Sequence, residues 1–175
     1  MKILITGSSG FIGFHLAKKL LESGNNVHGI DSMNNYYDVN LKKSRLKILN
    51  KYKNFSFSKS NLENQKNLNK IIIKFKPDII IHLAAQAGVR YSIENPDVYL
   101  NSNIIGTFNI IKIAHKLKIK HLIIGSSSSV YGANKKFPFQ ETDKTDNQVS
   151  FYAATKKSTE ALAHAYSSLW KLPIT

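Results

Sequence analysis

Lys2-Ile3-Leu4-Ile5-Thr6-Gly7-Ser8-Ser9-Gly10-Phe11-Ile12-Gly13 is a short apolar run that breaks into three glycines and then into a helical pattern. That order reads as a strand, a tight turn and a helix N-terminus. Gly7 permits a sharp exit from the strand, Gly10 removes the side chain that would block a pyrophosphate, and Gly13 lets the helix lie close on the sheet. The backbone N–H groups at Phe11 and Ile12, at the positive end of the helix dipole, then face an anion. A plain strand-to-helix turn also uses glycine, so the context decides. Val27-His28-Gly29-Ile30-Asp31 follows as a second strand that ends in a carboxylate, eighteen residues past Gly13. That is near the separation of roughly 20 that a dinucleotide site needs. A carboxylate there accepts hydrogen bonds from an adenosine ribose and repels a 2′-phosphate, which selects NAD over NADP.

A chain of 175 residues that is 42% hydrophobic suffices for one well-buried core, and residues 1–175 read as a single domain. There is no cysteine, so disulfides and thiolate metal sites are excluded, and no metal site is expected. The first strand begins at Lys2 and no apolar run approaches the roughly 18 residues that span a bilayer, so neither a signal peptide nor a membrane helix is expected. The cytoplasm is the default compartment. The formal net charge of +14 invites a nucleic-acid partner. Only Arg45 and Arg90 are arginines, however, and the lysines are spread over the whole chain with no groove-reading motif or aromatic-basic stripe. The charge reads as solvated faces that steer anionic substrates, with no nucleic acid bound.

Phe11, Ile12, Leu16, Leu20 and Leu21 recur at helical spacing up to the stop signal Gly24-Asn25. Phe55-Ser56-Phe57 is a third strand, and Asn61-Leu62 at its end offers Asn61 to an adenine amino group or to an ordinary loop. Leu68, Ile71, Ile72 and Phe75 predict a helix closed by Lys76-Pro77. Asp78-Ile79-Ile80-Ile81-His82-Leu83 is a continuous apolar run, the pattern of a strand buried on both faces of a parallel sheet. It opens into small residues at its carboxyl end, Leu83-Ala84-Ala85-Gln86-Ala87-Gly88-Val89-Arg90, where open parallel sheets place their ligands. Arg90 suits an anionic ligand or a structural ion pair there. Residues 96–117 predict one long helix whose apolar face is interrupted by Asn101, Ser102, Asn103 and Gly106, and Asn103 is the candidate for holding the ligand end. His121-Leu122-Ile123-Ile124-Gly125 is a fifth strand, running into Ser126-Ser127-Ser128-Ser129 and so setting four hydroxyls at the sheet's carboxyl edge.

After a polar stretch, Tyr152-Ala153-Ala154-Thr155-Lys156 opens a helix on which Tyr152 and Lys156 share a face. A neighbouring ammonium and an oxidised nicotinamide favour the phenolate, which makes such a tyrosine a usable base near neutral pH. Leu172-Pro173-Ile174-Thr175 reads as the start of a sixth strand. The expected fold is therefore α/β, a doubly wound and mostly parallel sheet with helices on both faces, truncated at the sixth strand, with the fifth strand left as an apolar edge.

Together the glycine turn, the serine cluster and the Tyr-x-x-x-Lys helix resemble the extended short-chain dehydrogenase/reductase family, NAD-dependent epimerases and dehydratases with a Rossmann-like domain. The resemblance spans nearly the whole chain. Its catalytic hydroxyl precedes its tyrosine by twenty-five residues, which selects Ser127 beside Tyr152 and Lys156. The strings 84–92, 126–132 and 152–157 look most like UDP-glucuronate 4-epimerases, with UDP-glucose epimerases as the near alternative. The resemblance implies NAD held by Gly7, Gly10, Phe11, Ile12, Gly13, Asp31, Asn61, Leu62, Leu83, Ala84, Ala85, Asn103, Tyr152 and Lys156. It implies a UDP-sugar substrate near Ser127, Ser128, Ser129 and Arg90, and a homodimer built on the helices around 96–117 and 150–170. Related dehydratases and decarboxylases carry acidic residues where Ser128 and Ser129 stand; elimination needs such a proton donor and acceptor, whereas epimerisation needs only reversible oxidation at one carbon. Two serines there suit hydrogen bonding to a uronate carboxylate. The sequence departs from the family at Asn61, where Asp is usual, and at Ser32, where Asn is frequent. It also lacks the family's smaller substrate domain, which leaves a catalytically inactive NAD-binding module as the other reading.

Overall fold

The computed structural model describes residues 1–175. Five strands, β1 (Lys2–Thr6), β2 (Asn26–Asp31), β3 (Phe55–Lys59), β4 (Ile79–His82) and β5 (His121–Ile124), form one sheet in the order β3-β2-β1-β4-β5. Every pairing is parallel, with Ile3 level with Val27 on one side and Ile79 on the other. The order reverses between β1 and β4, so a crevice opens at the carboxyl ends of these two strands.

Period-two alternation divides the strand side chains between two cores. Ile3, Ile5, Val27 and Ile81 pack with Phe14, Ala17 and Leu21 of α1 (Phe11–Glu22) and with Leu49 of α2 (Val39–Leu49). Leu4, Ile30, Ile80 and Leu122 pack on the opposite face with Leu68 and Ile72 of α3 (Gln65–Phe75) and with a helix that follows β4. Because Ile80 serves one core and Ile81 the other, the apolar run of β4 has no polar side to show. Each such fully buried aliphatic contributes about 1.5–3 kcal/mol.

The helix expected over 96–117 runs without interruption and widens to π geometry in its middle. A single turn α4 (Tyr91–Glu94) precedes α5 (Pro96–Tyr99), a π-helical stretch covers Leu100–Ile105, and α6 (Gly106–Leu117) completes the run. Pro96 stands at the first turn, where its missing N–H is harmless. The wide π turn contains Asn103, whose amide spends its hydrogen bonds outside the helix. A 3₁₀ turn (Ser128–Tyr131) and α7 (Phe151–Trp170) follow β5, and Leu162, Ala163 and Tyr166 of α7 cover the second core.

The edge of β5 is not left open as expected. Pro173 and Thr175 accept hydrogen bonds from Leu122 and Ile124 at 2.9 Å each, and Ile174 bridges Leu122 in parallel. Residues 173–175 thus already run beside β5. No helix is long and apolar enough to cross a membrane.

Candidate active site

At the end of β1 the chain turns through Gly7, which has φ +74° and donates its N–H to Ile30 at 2.7 Å. Gly10 caps α1 without any side-chain hydrogen bond, so the first N–H groups of the helix have no side-chain acceptor. A Cβ on Gly13 would collide with the Gly7 carbonyl oxygen and lie 2.8 Å from its carbon. The constraint on Gly13 is therefore contact with the glycine loop itself, not the approach of helix to sheet that was expected. Phe11 and Ile12 project outward, well exposed. The Ser8 and Ser9 hydroxyls are buried and have no partner.

Asp31 lies where expected, at the end of β2 and 7% exposed. Its carboxylate accepts from the Ser9 N–H at 3.0 Å and the Met33 N–H at 2.9 Å, tying the glycine loop to the second strand. Each oxygen keeps a second lone pair for another donor. Met33 reaches it by adopting φ +54°, a conformation nothing in the sequence announces. Arg45 closes the loop from the other side, its guanidinium donating to the Ser9 carbonyl at 3.3 Å and lying over the Phe11 ring.

At the end of β3 the adenine candidates separate. Asn61 is exposed and donates to Glu63 at 3.0 Å beside a polar cavity of about 500 Å³ lined by Lys59, Ser60 and Asn64 among others. Leu62 turns inward against Gly106, and its carbonyl accepts from the Asn109 amide. Its side chain belongs to the core, which leaves its backbone N–H as the group that could face a ligand.

The group that shapes the crest carries no local signal in the sequence. The Thr6 hydroxyl accepts from the Leu83 N–H (3.2 Å) and the Ala84 N–H (3.1 Å), which uses both its lone pairs. Its own hydrogen must then go to His82 Nδ1, 2.7 Å away. That fixes the tautomer: His82 Nε2–H donates to the Thr107 hydroxyl at 2.9 Å. The ring is fully buried and its pKa is lowered to about 3, by desolvation first and then by the charge of Lys156. Thr6 and His82 are direct neighbours across β1 and β4, so the signal was available once those strands were paired.

Tyr152 and Lys156 lie one turn apart on α7, whose N-cap Ser150 accepts from Ala153 at 3.0 Å. Lys156 is 7% exposed and donates to the Gly125 carbonyl at 2.5 Å. Burial lowers its pKa, against an opposing pull from Glu160. Ser127 stands two residues beyond Gly125 and caps the 3₁₀ turn by accepting from Ser129 N–H at 3.2 Å. The helix α7 packs on that turn, and Lys156 reaches the chain at Gly125, two residues before Ser127. Ser128 is exposed and Ser129 half-buried. Half-buried Leu83, Ala84 and Ala85 line the crest between β1 and β5.

Asn103, 1% exposed, accepts from the Gln86 N–H at 2.7 Å and donates to the Gln86 carbonyl and to Thr155. It is thus a brace for the loop after β4. Arg90 is exposed and takes part in none of the ion pairs, so the structural ion pair offered for it is not made.

The family model described as GDP-mannose 4,6 dehydratase matches residues 4–175. The chain is 49% identical to a probable UDP-glucuronate 4-epimerase of Rhizobium meliloti over its whole length, covering 51% of that protein. It is 55% identical to Protein CapI of Staphylococcus aureus, of which it covers 52%. The crystal structure of UDP-glucuronic acid 4-epimerase from Bacillus cereus, in complex with UDP-glucuronic acid and NAD, superposes with a TM-score of 0.91. That match has 34% identity and covers 100% of this chain and 55% of that one. The chain spans about half the length of the curated relatives it matches.

Proposed function

The chain belongs to the GDP-mannose 4,6 dehydratase family of NAD-dependent epimerases and dehydratases, and on that premise we propose that it is the NAD-binding part of a UDP-glucuronate 4-epimerase. The observation that carries the reading is the seating of Lys156, a buried ammonium one helical turn from Tyr152 and hydrogen-bonded to Gly125 beside Ser127. The residues present fit a dinucleotide. The uncapped N-terminus of α1, the side-chain-free Gly10 and the unpartnered Ser9 hydroxyl suit a pyrophosphate, and Asp31 suits a ribose diol.

When bound, NAD would accept a hydride from the sugar C4 and return it to the opposite face after the 4-keto sugar has turned over. Tyr152 takes the proton from the 4-hydroxyl and gives it back to the same oxygen when the hydride returns. Ser127 donates to the same oxygen and holds it as the carbonyl forms. Lys156 sets its positive charge one turn from the Tyr152 phenol and gives hydrogen bonds to the nicotinamide ribose. Ser128 and Ser129 donate to the uronate carboxylate, which restrains loss of carbon dioxide, and the exposed Arg90 guanidinium meets the charged part of the UDP-sugar. Hydroxyls suffice because no water is eliminated.

The assembly we assign is a homodimer through α6 and α7. Phe108, Leu169 and Trp170 leave apolar surface exposed on these helices, in support of that pairing. The compartment we assign is the cytoplasm. The test is incubation with UDP-glucuronate and NAD, followed by chromatography for UDP-galacturonate. Product from the unaltered chain and none from Tyr152→Phe supports the proposal. A folded sample that binds NAD and gives no product favours a non-catalytic binding module, and product only from UDP-glucose favours the other epimerase.

A further inference from the structure

We propose that Ser92 is a positioning residue for the Tyr152 phenol, holding the first turn of α7 to the loop that follows β4. The inference rests on the functional reading above. Tyr152 is the second residue of α7, so its N–H is among those a helix cannot satisfy internally. The cap residue Ser150 takes the N–H of Ala153 with its side chain and that of Ala154 with its carbonyl. The Tyr152 N–H goes elsewhere, to the Ser92 hydroxyl sixty residues away at 3.2 Å. Ser92 is 1% exposed, and its own hydrogen is given to the Val89 carbonyl at 2.6 Å.

The carbonyl of the same tyrosine is held as well. Thr155 donates to it at 2.8 Å while accepting from Asn103, the side chain that clasps Gln86. The ring completes the suspension. It packs edge-on against Tyr99, centroids 5.9 Å apart, and the Tyr99 hydroxyl is held at the Ala87 and Gly88 carbonyls. Both backbone groups and the ring of Tyr152 are thus referred to residues 86–92. The loop that would meet the sugar and the phenol that would deprotonate it move as one body. Of these supports, Ser92 alone joins the loop to the tyrosine directly, without Tyr99 of α5 or Asn103 of the π-helical stretch between them.

The experiment removes that hydroxyl in the full chain as Ser92→Ala, with Ser92→Cys as a second variant that fills the space but accepts hydrogen bonds poorly. Residue-resolved amide exchange reads the contact. The Tyr152 amide is expected to exchange about tenfold faster in either variant, with Ala153 unchanged as a control for folding. The ¹³Cζ resonance of Tyr152 is expected to shift while that of Tyr166 stays. In the epimerase assay kcat is expected to fall about tenfold with KM within about twofold, since orientation of the base matters in the transition state and little in binding. Unchanged Tyr152 exchange and ¹³Cζ shift in a folded variant overturn the proposal, as does an unchanged kcat. If the unaltered chain makes no product, the functional reading fails, and the exchange and resonance data alone decide whether Ser92 sets the phenol.

Discussion

Lowering the pH should destabilise the fold through His82, and the amount can be worked out. The ring is held neutral, with its pKa lowered from 6.5 to about 3 by burial. The unfolded chain therefore binds a proton that the folded chain refuses. The His82 contribution is fully present above the unfolded value of 6.5 and is lost progressively as the pH falls toward 3. Integration gives a loss of about 2 kcal/mol at pH 5 relative to pH 8, and about 3 kcal/mol at pH 4. The geometry agrees with the sign, because a proton on Nδ1 would face a Thr6 oxygen whose two lone pairs already hold Leu83 and Ala84. For a chain of this size 2 kcal/mol is about 4–8 °C in Tm. His28, buried against Ser56 and Ser58 with its pKa lowered to about 4, acts in the same direction over a narrower range. The assay is thermal melting from pH 8 to pH 5 for the unaltered chain and for His82→Gln. The variant should start lower but lose about 4–8 °C less over the interval. Equal losses in both proteins, or a His82 imidazole that titrates near neutrality by NMR in the folded chain, would refute the reasoning.

Gly13→Ala places a Cβ against the Gly7 carbonyl, and displacement of the loop should raise the Kd for NAD by about tenfold to a hundredfold in calorimetry. Asp31→Asn keeps an acceptor for only one of the Ser9 and Met33 N–H groups and removes the charge. It should weaken NAD and raise the NADP-to-NAD affinity ratio by about tenfold, measured by competition binding. Ser128→Ala with Ser129→Ala should lower uronate affinity by about tenfold and release carbon dioxide during turnover, since two carboxylate donors go. Unchanged affinity with no carbon dioxide would count against their role.

The parallel sheet was legible because its signals are local. The apolar run of β4 is continuous since Ile80 and Ile81 serve opposite cores, and the glycine turn needs Gly7 at positive φ. Asp31 and the Tyr152–Lys156 pair were legible as spacings. What escaped depends on contacts between distant residues. Thr6 and His82 meet only because β1 and β4 are sheet neighbours, and Ser92 reaches Tyr152 across sixty residues. The helix over 96–117 was legible from its periodicity, but its π-helical widening at Leu100–Ile105, where Asn103 bonds to Gln86 and Thr155, was not. Leu62 entered only through the family resemblance, and the inward turn of its side chain depends on Gly106 opposite it, a contact distant in sequence.

The most direct test of the account is a crystal structure of the chain with NAD. The pyrophosphate should lie on the Gly7–Gly13 turn, the adenosine ribose on Asp31, and the nicotinamide ribose on Lys156 with the Tyr152 hydroxyl facing the reactive carbon. A dinucleotide bound away from the carboxyl ends of β1 and β4, or a folded chain that takes up none at millimolar concentration, would contradict it.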